Sequence, residues 1–236
     1  MKFNKIGLFL IYASLSFSLF IYSQAVKAQL ISGVGISGGI TYAKEKLNYT
    51  YTGLIGKPGY VPGINGDFFV EFFQNDYVRF VSELQFNQKG TIEHRSSHAG
   101  LQYLSDVKDR LNYLSFNNYL KIRYELLTII PYFLVGPRVE YLLSSNRQIS
   151  TDHIHFNDPA PLKDFKQIHF SIAVGGGIEL VSYSEFKFFT EFYYNPDISF
   201  ARLNDNYTIT NTSFELRIGL KYTVEKAKQT CPRVYK

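Results

Sequence analysis

Few residues in this chain carry side chains whose type and spacing suit chemistry. His153 and His155 stand two apart beside Asp152. In an extended segment, two imidazoles at that spacing share a face and can begin a metal site. No third ligand is marked, so the pair reads as part of a solvated loop. His169 points among carboxylates such as Glu179 and Glu191. It suits a general base in principle and a hydrogen-bonded filler in practice. Ser115 and Ser171 offer hydroxyls, but no Gly-x-Ser-x-Gly turn presents a nucleophile. His94 and His98 read as surface residues. The expectation is a protein with no enzymatic activity, no cofactor and no metal.

The larger set of charged residues is spaced by twos. Bases at Arg79, Lys89, Lys121, Arg123, Arg138, Lys187, Arg217 and Lys221 alternate with apolar neighbours. So do acids at Asp67, Glu71, Glu83, Glu140, Glu179, Glu191 and Glu215. The last such segment is the clearest. Phe214, Leu216, Ile218, Leu220, Tyr222 and Val224 form one face, and Ser213, Glu215, Arg217, Gly219 and Lys221 the other. A strand sends successive side chains to opposite faces, so each such segment has a greasy and a charged surface.

Eight segments show the pattern, at about 30–43, 63–73, 77–94, 111–124, 129–144, 167–181, 185–195 and 213–224. Their connections alternate in length. Gln74–Asp76, Glu125–Thr128 and Ser182–Ser184 are short, while Lys44–Pro62, Arg95–Arg110, Asn146–Lys166 and Pro196–Asn211 are long. Short periplasmic turns and long outer loops mark bacterial outer-membrane barrels. Alternation alone leaves open a soluble barrel with the apolar face inward. Strand length, small residues on the charged face and tyrosines near strand ends favour the membrane form. Those tyrosines are Tyr42, Tyr77, Tyr113, Tyr124, Tyr194 and Tyr222. The fold expected is all-β, an eight-stranded antiparallel up-and-down transmembrane β-barrel, monomeric, with outer-membrane lipid and the barrel-assembly machinery as partners.

The N-terminus reads as an export signal. Lys2 and Lys5 precede an uncharged run from Ile6 to Tyr22, and Val26-Lys27-Ala28 sets the cut after Ala28. Residues 1–28 hold three lysines and no acid, so their removal takes the formal charge from +5 to +2. That small charge gives no reason to expect a nucleic-acid partner. Residues 29–224 then form the barrel and 225–236 a basic periplasmic tail. Cys231 is the only cysteine, which excludes an intramolecular disulfide. The inward charges nearly balance, and an eight-stranded barrel is only wide enough for its side chains. A plugged, salt-bridged lumen is expected, with a small-solute channel as the alternative and a lipid-modifying enzyme behind it. Tyr49, Tyr51, Tyr60, Tyr103, Asp152, Asp158, Asn204 and Tyr207 give the long connections the makings of a contact surface for an unidentified protein.

Leu111-Asn112-Tyr113-Leu114, Lys121, Pro131-Tyr132-Phe133-Leu134, Gly136-Pro137 and Tyr141-Leu142-Leu143 together resemble the PorT-like outer-membrane β-barrel family of Bacteroidetes. Gly175-Gly176-Gly177-Ile178-Glu179 is similar to that family's glycine-rich strand. The resemblance runs to about Val224 and implies an outer-membrane protein, one branch of which serves in assembling a secretion system. Ser115 and Asn117 depart from it, standing where the family often has an acid and a proline. Pro137 lies mid-strand, where its missing N–H should force a bulge.

Overall fold

A computed structural model describes residues 30–49, 54–97, 103–151, 154–158, 167–181, 184–198, 201–204 and 207–224. The expected signal segment, Tyr51, His98, Asp152, His153, Cys231 and the basic tail lie outside the described residues.

Among the described residues, ten strands form one antiparallel sheet. They are β1 (Ile31–Tyr49), β2 (Leu54–Phe72), β3 (Val78–Ser97), β4 (Tyr103–Arg123), β5 (Ile129–Thr151), β6 (Ile154–Asp158), β7 (Ile168–Leu180), β8 (Phe186–Pro196), β9 (Ala201–Asn204) and β10 (Tyr207–Thr223). Short β6 pairs with β5 and short β9 with β10. The remaining eight run in order around a ring, and β1 closes on β10 from Gly33↔Thr223 to Tyr49↔Tyr207. The result is a closed eight-stranded antiparallel barrel.

The alternation sorts the side chains as a membrane requires. Ile218 is 69% exposed on the outside, while its neighbour Arg217 is fully buried inside. Ile36, Phe68, Leu84, Phe116, Phe170 and Phe188 extend the same outer belt. A soluble barrel would reverse these faces. The belt has a visible upper edge. Phe86 and Leu114 form its last row on β3 and β4, and Tyr141 with Leu143 just beyond it ends the belt on β5. Just above, the Gln88 amide donates to Asn112 (3.0 Å) and the Asn112 amide to Ser144 (2.8 Å). Arginine placed in the belt meets hydrocarbon, so Ile218→Arg is expected to lower stability by about 2–4 kcal/mol. Arg110→Ala, on the polar outer face of β4, should change it by less than about 0.5 kcal/mol. Urea titration of protein refolded into lipid vesicles, read by circular dichroism, checks both.

The long connections are shorter than the sequence pattern indicates, because the strands continue beyond the bilayer. β3, β4 and β5 have 20, 21 and 23 residues, against 13 and 11 in β7 and β8. Crossing takes about 9–11 tilted residues. Much of Lys44–Pro62, Arg95–Arg110 and Asn146–Lys166 is therefore sheet standing above the membrane. Alternation fades there because water bathes the outer face.

Pro137 forces no bulge. The β5–β7 register runs unbroken from Ile129↔Leu180 to Tyr141↔Ile168. On the other side the ladder passes from Asn117↔Arg138 to Leu120↔Val135 without a shift in register. The chain skips pairing where the N–H is missing, and the β4–β5 irregularity lies instead between Asn112 and Tyr113.

Candidate functional site: the filled lumen

The inner wall carries the charged face of every barrel strand, and its centre is Glu215 on β10. That carboxylate accepts hydrogen bonds from the amides of Gln85, Asn87 and Asn195, each at 2.8 Å. It pairs with Arg138 at 2.8 Å and with Arg217 at 2.5 Å. Arg217 reaches on to Glu83 (2.9 Å) and Asp67 (3.3 Å). Arg138 also meets Glu140 at 3.1 Å and Gln85. These residues come from β2, β3, β5, β8 and β10, so the network ties distant staves of the barrel together.

A second knot lies at the short-turn end. Glu71 and Glu179 share Lys121 and Lys221, with Glu179 at 2.5 and 2.6 Å and Glu71 at 3.3 and 2.8 Å. Arg79 joins Glu71 at 3.5 Å, and Arg123 reaches Glu125 at 3.3 Å. Lys187 is half-buried and makes no ion pair among the described residues. At the opposite end Lys89 binds Glu140 at 2.7 Å and approaches Asp197 at 3.9 Å. Arg147 clamps Asp109 with two bonds, at 2.7 and 2.9 Å. The near balance of charge in the sequence therefore hides a gradient. Bases gather at the short-turn, periplasmic end and acids at the outer mouth.

An aromatic layer that the charge pattern of the sequence does not single out fills the space between the charges. Phe69, Val81, Tyr119, Tyr132, Leu134, Ala173, Phe189 and Tyr193 cluster inside the barrel. Tyr132 and Tyr193 both donate to Glu191, at 2.8 and 3.0 Å. Lys121 lies 3.8 Å above the Tyr132 ring and Arg217 4.3 Å from that of Tyr193. Each of four aromatics faces a glycine across the ladder, in the pairs Gly35↔Phe69, Tyr132↔Gly177, Gly175↔Tyr193 and Gly219↔Phe189. A bare glycine leaves room for the ring to lie flat over its neighbour's backbone.

Two placements are corrected. Tyr113 is not part of an interfacial girdle: its parity on β4 turns it inward, where it is 3% exposed. Tyr42, Tyr77, Tyr124, Tyr194 and Tyr222 do face outward. His169 lies opposite Glu140 and edge-on to Tyr113 (5.5 Å), well up β7 from Glu179. Ser115 donates to Glu140 at 3.3 Å, a carboxylate already held by Lys89, so it is not aimed at a free base. Among the described residues no group of three His, Cys, Asp or Glu is set for a metal. His155 contributes only its place on β6.

Family comparison agrees with the inverted barrel. The sequence matches the outer membrane protein β-barrel domain family over residues 22–201. The chain belongs to that family. Its location is accordingly the bacterial outer membrane. Solved structures similar to it include OprG from Pseudomonas aeruginosa, at 12% identity and TM-score 0.48, covering 84% of this chain and 99% of that one. Ail of Yersinia pestis is 16% identical with TM-score 0.38, covering 82% and 100%. The outer membrane protease OmpT from Escherichia coli is 11% identical with TM-score 0.42, covering 84% and 97%. No curated protein matches the chain. The family match ends before β10, so the roles of Glu215, Arg217 and Lys221 rest on this barrel's own geometry.

Proposed function

We propose that this outer-membrane barrel is a monomeric, non-conducting scaffold that acts through surfaces outside the bilayer. One observation carries the reading. At mid-height the lumen is crossed by Arg138, Arg217 and Glu215, packed against Tyr119 and Tyr193, and each is no more than 1% exposed. Solute cannot pass without breaking several buried ion pairs. The tall β1–β5 sheet then offers a rigid platform above the membrane for a protein partner. A place in assembling a secretion system is the form of this role that the PorT-like resemblance suggests.

The test is electrical. Purified full-length protein inserted into planar bilayers should give no stepwise conductance, while E83A/E215A/R217A, which removes Glu215 and Arg217 from the constriction together with their neighbour Glu83, should give steps. Regular openings from the unaltered protein would favour the channel and sink this reading.

A further inference from the structure

The outer mouth of the lumen holds more negative charge than its bases can match. Among the described residues, Glu45, Asp109, Glu140 and Asp197 face Lys89 and Arg147 there, with Glu93 buried further up β3. Arg138 also touches Glu140, but its charge is matched by Glu215 at 2.8 Å. Arg147 clamps Asp109 and Lys89 binds Glu140. Glu45 and Asp197 remain. Glu45 is 1% exposed, and its Oε1 has no hydrogen-bond partner. Asp197 Oδ1 has none either, its one cation standing off at 3.9 Å.

Neutral oxygens in the same place are also unused. Glu45 stands directly across the ladder from Asn211, whose backbone carbonyl accepts from the Asp197 N–H at 2.9 Å. Two residues further down, Asn195 faces Ser213. Asn195 Oδ1, Asn211 Oδ1 and Ser213 Oγ are all buried without a hydrogen-bond partner. Buried acceptors left unpaired are costly, and a native structure rarely tolerates several together. Water alone would meet the oxygens but not the charge, and burial, which raises both carboxyls, favours a proton on them when no cation is bound. A divalent cation meets oxygens and charge together.

We propose that this cluster binds one calcium ion, held by Glu45, Asp197, Asn195 and Asn211 with water completing the shell. Calcium is a hard cation that takes carboxylate and amide oxygens in irregular geometry, whereas magnesium demands a near-ideal octahedron. With two carboxylates the site belongs to the weak class found outside cells, and the ion enters from the medium. It would tie β1 to β10 and the end of β8, at the low side of the outer wall. The inference does not depend on whether the barrel conducts.

Terbium stands in for calcium and is excited through nearby tyrosines such as Tyr113. Full-length protein refolded in detergent should show one saturable terbium luminescence site per chain, displaced by calcium more readily than by magnesium. Glu45→Gln and Asp197→Asn should each weaken it at least tenfold, and Asp106→Asn, on the outer rim beside His94, should not. Asn211→Ala removes an oxygen without changing charge and should also weaken it, so the idea stays testable if either acid variant fails to fold. Absence of saturable luminescence overturns the proposal, as does equal affinity in the Glu45, Asp197 and Asn211 variants. Magnesium displacing terbium as well as calcium does would overturn the choice of ion.

Discussion

Glu215→Leu is expected to be among the most damaging single changes in the barrel. The carboxylate accepts from three amides and pairs with two guanidiniums, all with negligible exposure. Removing one partner from a buried ion pair costs about 3–5 kcal/mol, chiefly because the other charge is left unmatched. Here Arg217 keeps Glu83 and Asp67, and Arg138 keeps Glu140, so the damage falls mainly on the charge balance and on the three orphaned amides. Glu215→Gln, which retains shape and one acceptor, should lose less. Glu215→Leu with Arg138→Met should recover part of the loss by removing a cation that would otherwise share Glu140 with Lys89. Urea midpoints in lipid vesicles give the ranking. If the double variant is no better than Glu215→Leu alone, uncompensated charge is not the cause.

Much of this arrangement is legible in the sequence, and the limits of legibility are physical. Period two assigns Arg217 inward and Ile218 outward without knowledge of any neighbour, because the pleat alone dictates it. The same rule fails where hydropathy is used in place of parity. Phe188-Phe189 and Phe192-Tyr193-Tyr194 read as unbroken apolar runs, yet alternate members point into the lumen. Tyr113 misleads in the same way: it stands near the expected start of a strand, but β4 continues eight residues before it in an unbroken ladder. The available signal was parity combined with an inward glycine on a facing strand. Pairing partners were beyond reach. That Lys221 meets both Glu71 and Glu179 follows from register and barrel closure, and the gradient of charge along the lumen follows from those pairings. Nor does alternation mark where strands end, since above Gln88 and Asn112 the outer face meets water and either kind of residue is tolerated.

The glycine–aromatic pairs lead to the second large expected effect, at Gly219. A Cβ there would stand 2.1 Å from the tip of the Phe189 ring and 2.7 Å from the Ile36 carbonyl oxygen. A lone ring could swing aside, but Phe189 packs edge-on against Phe69 at 5.5 Å, and Phe69 in turn lies over Gly35, where a Cβ would meet it at 2.4 Å. The two rings and two glycines act as one unit, so relief at one end is blocked at the other. Gly219→Val is therefore expected at or beyond the upper end of the about 1–3 kcal/mol typical of overpacked cores. Phe189→Leu alone leaves a partly filled gap and should also destabilise. Combined, G219V/F189L should be less damaging than the sum of the two, with a coupling of about 0.5–3 kcal/mol. Gly38, three residues beyond Gly35 on the lipid face, meets only the Asn65 carbonyl at 3.6 Å, so Gly38→Val should be tolerated. Additive losses in the double variant, or equal damage at Gly38 and Gly219, would show that strand propensity rather than ring packing dictates these glycines.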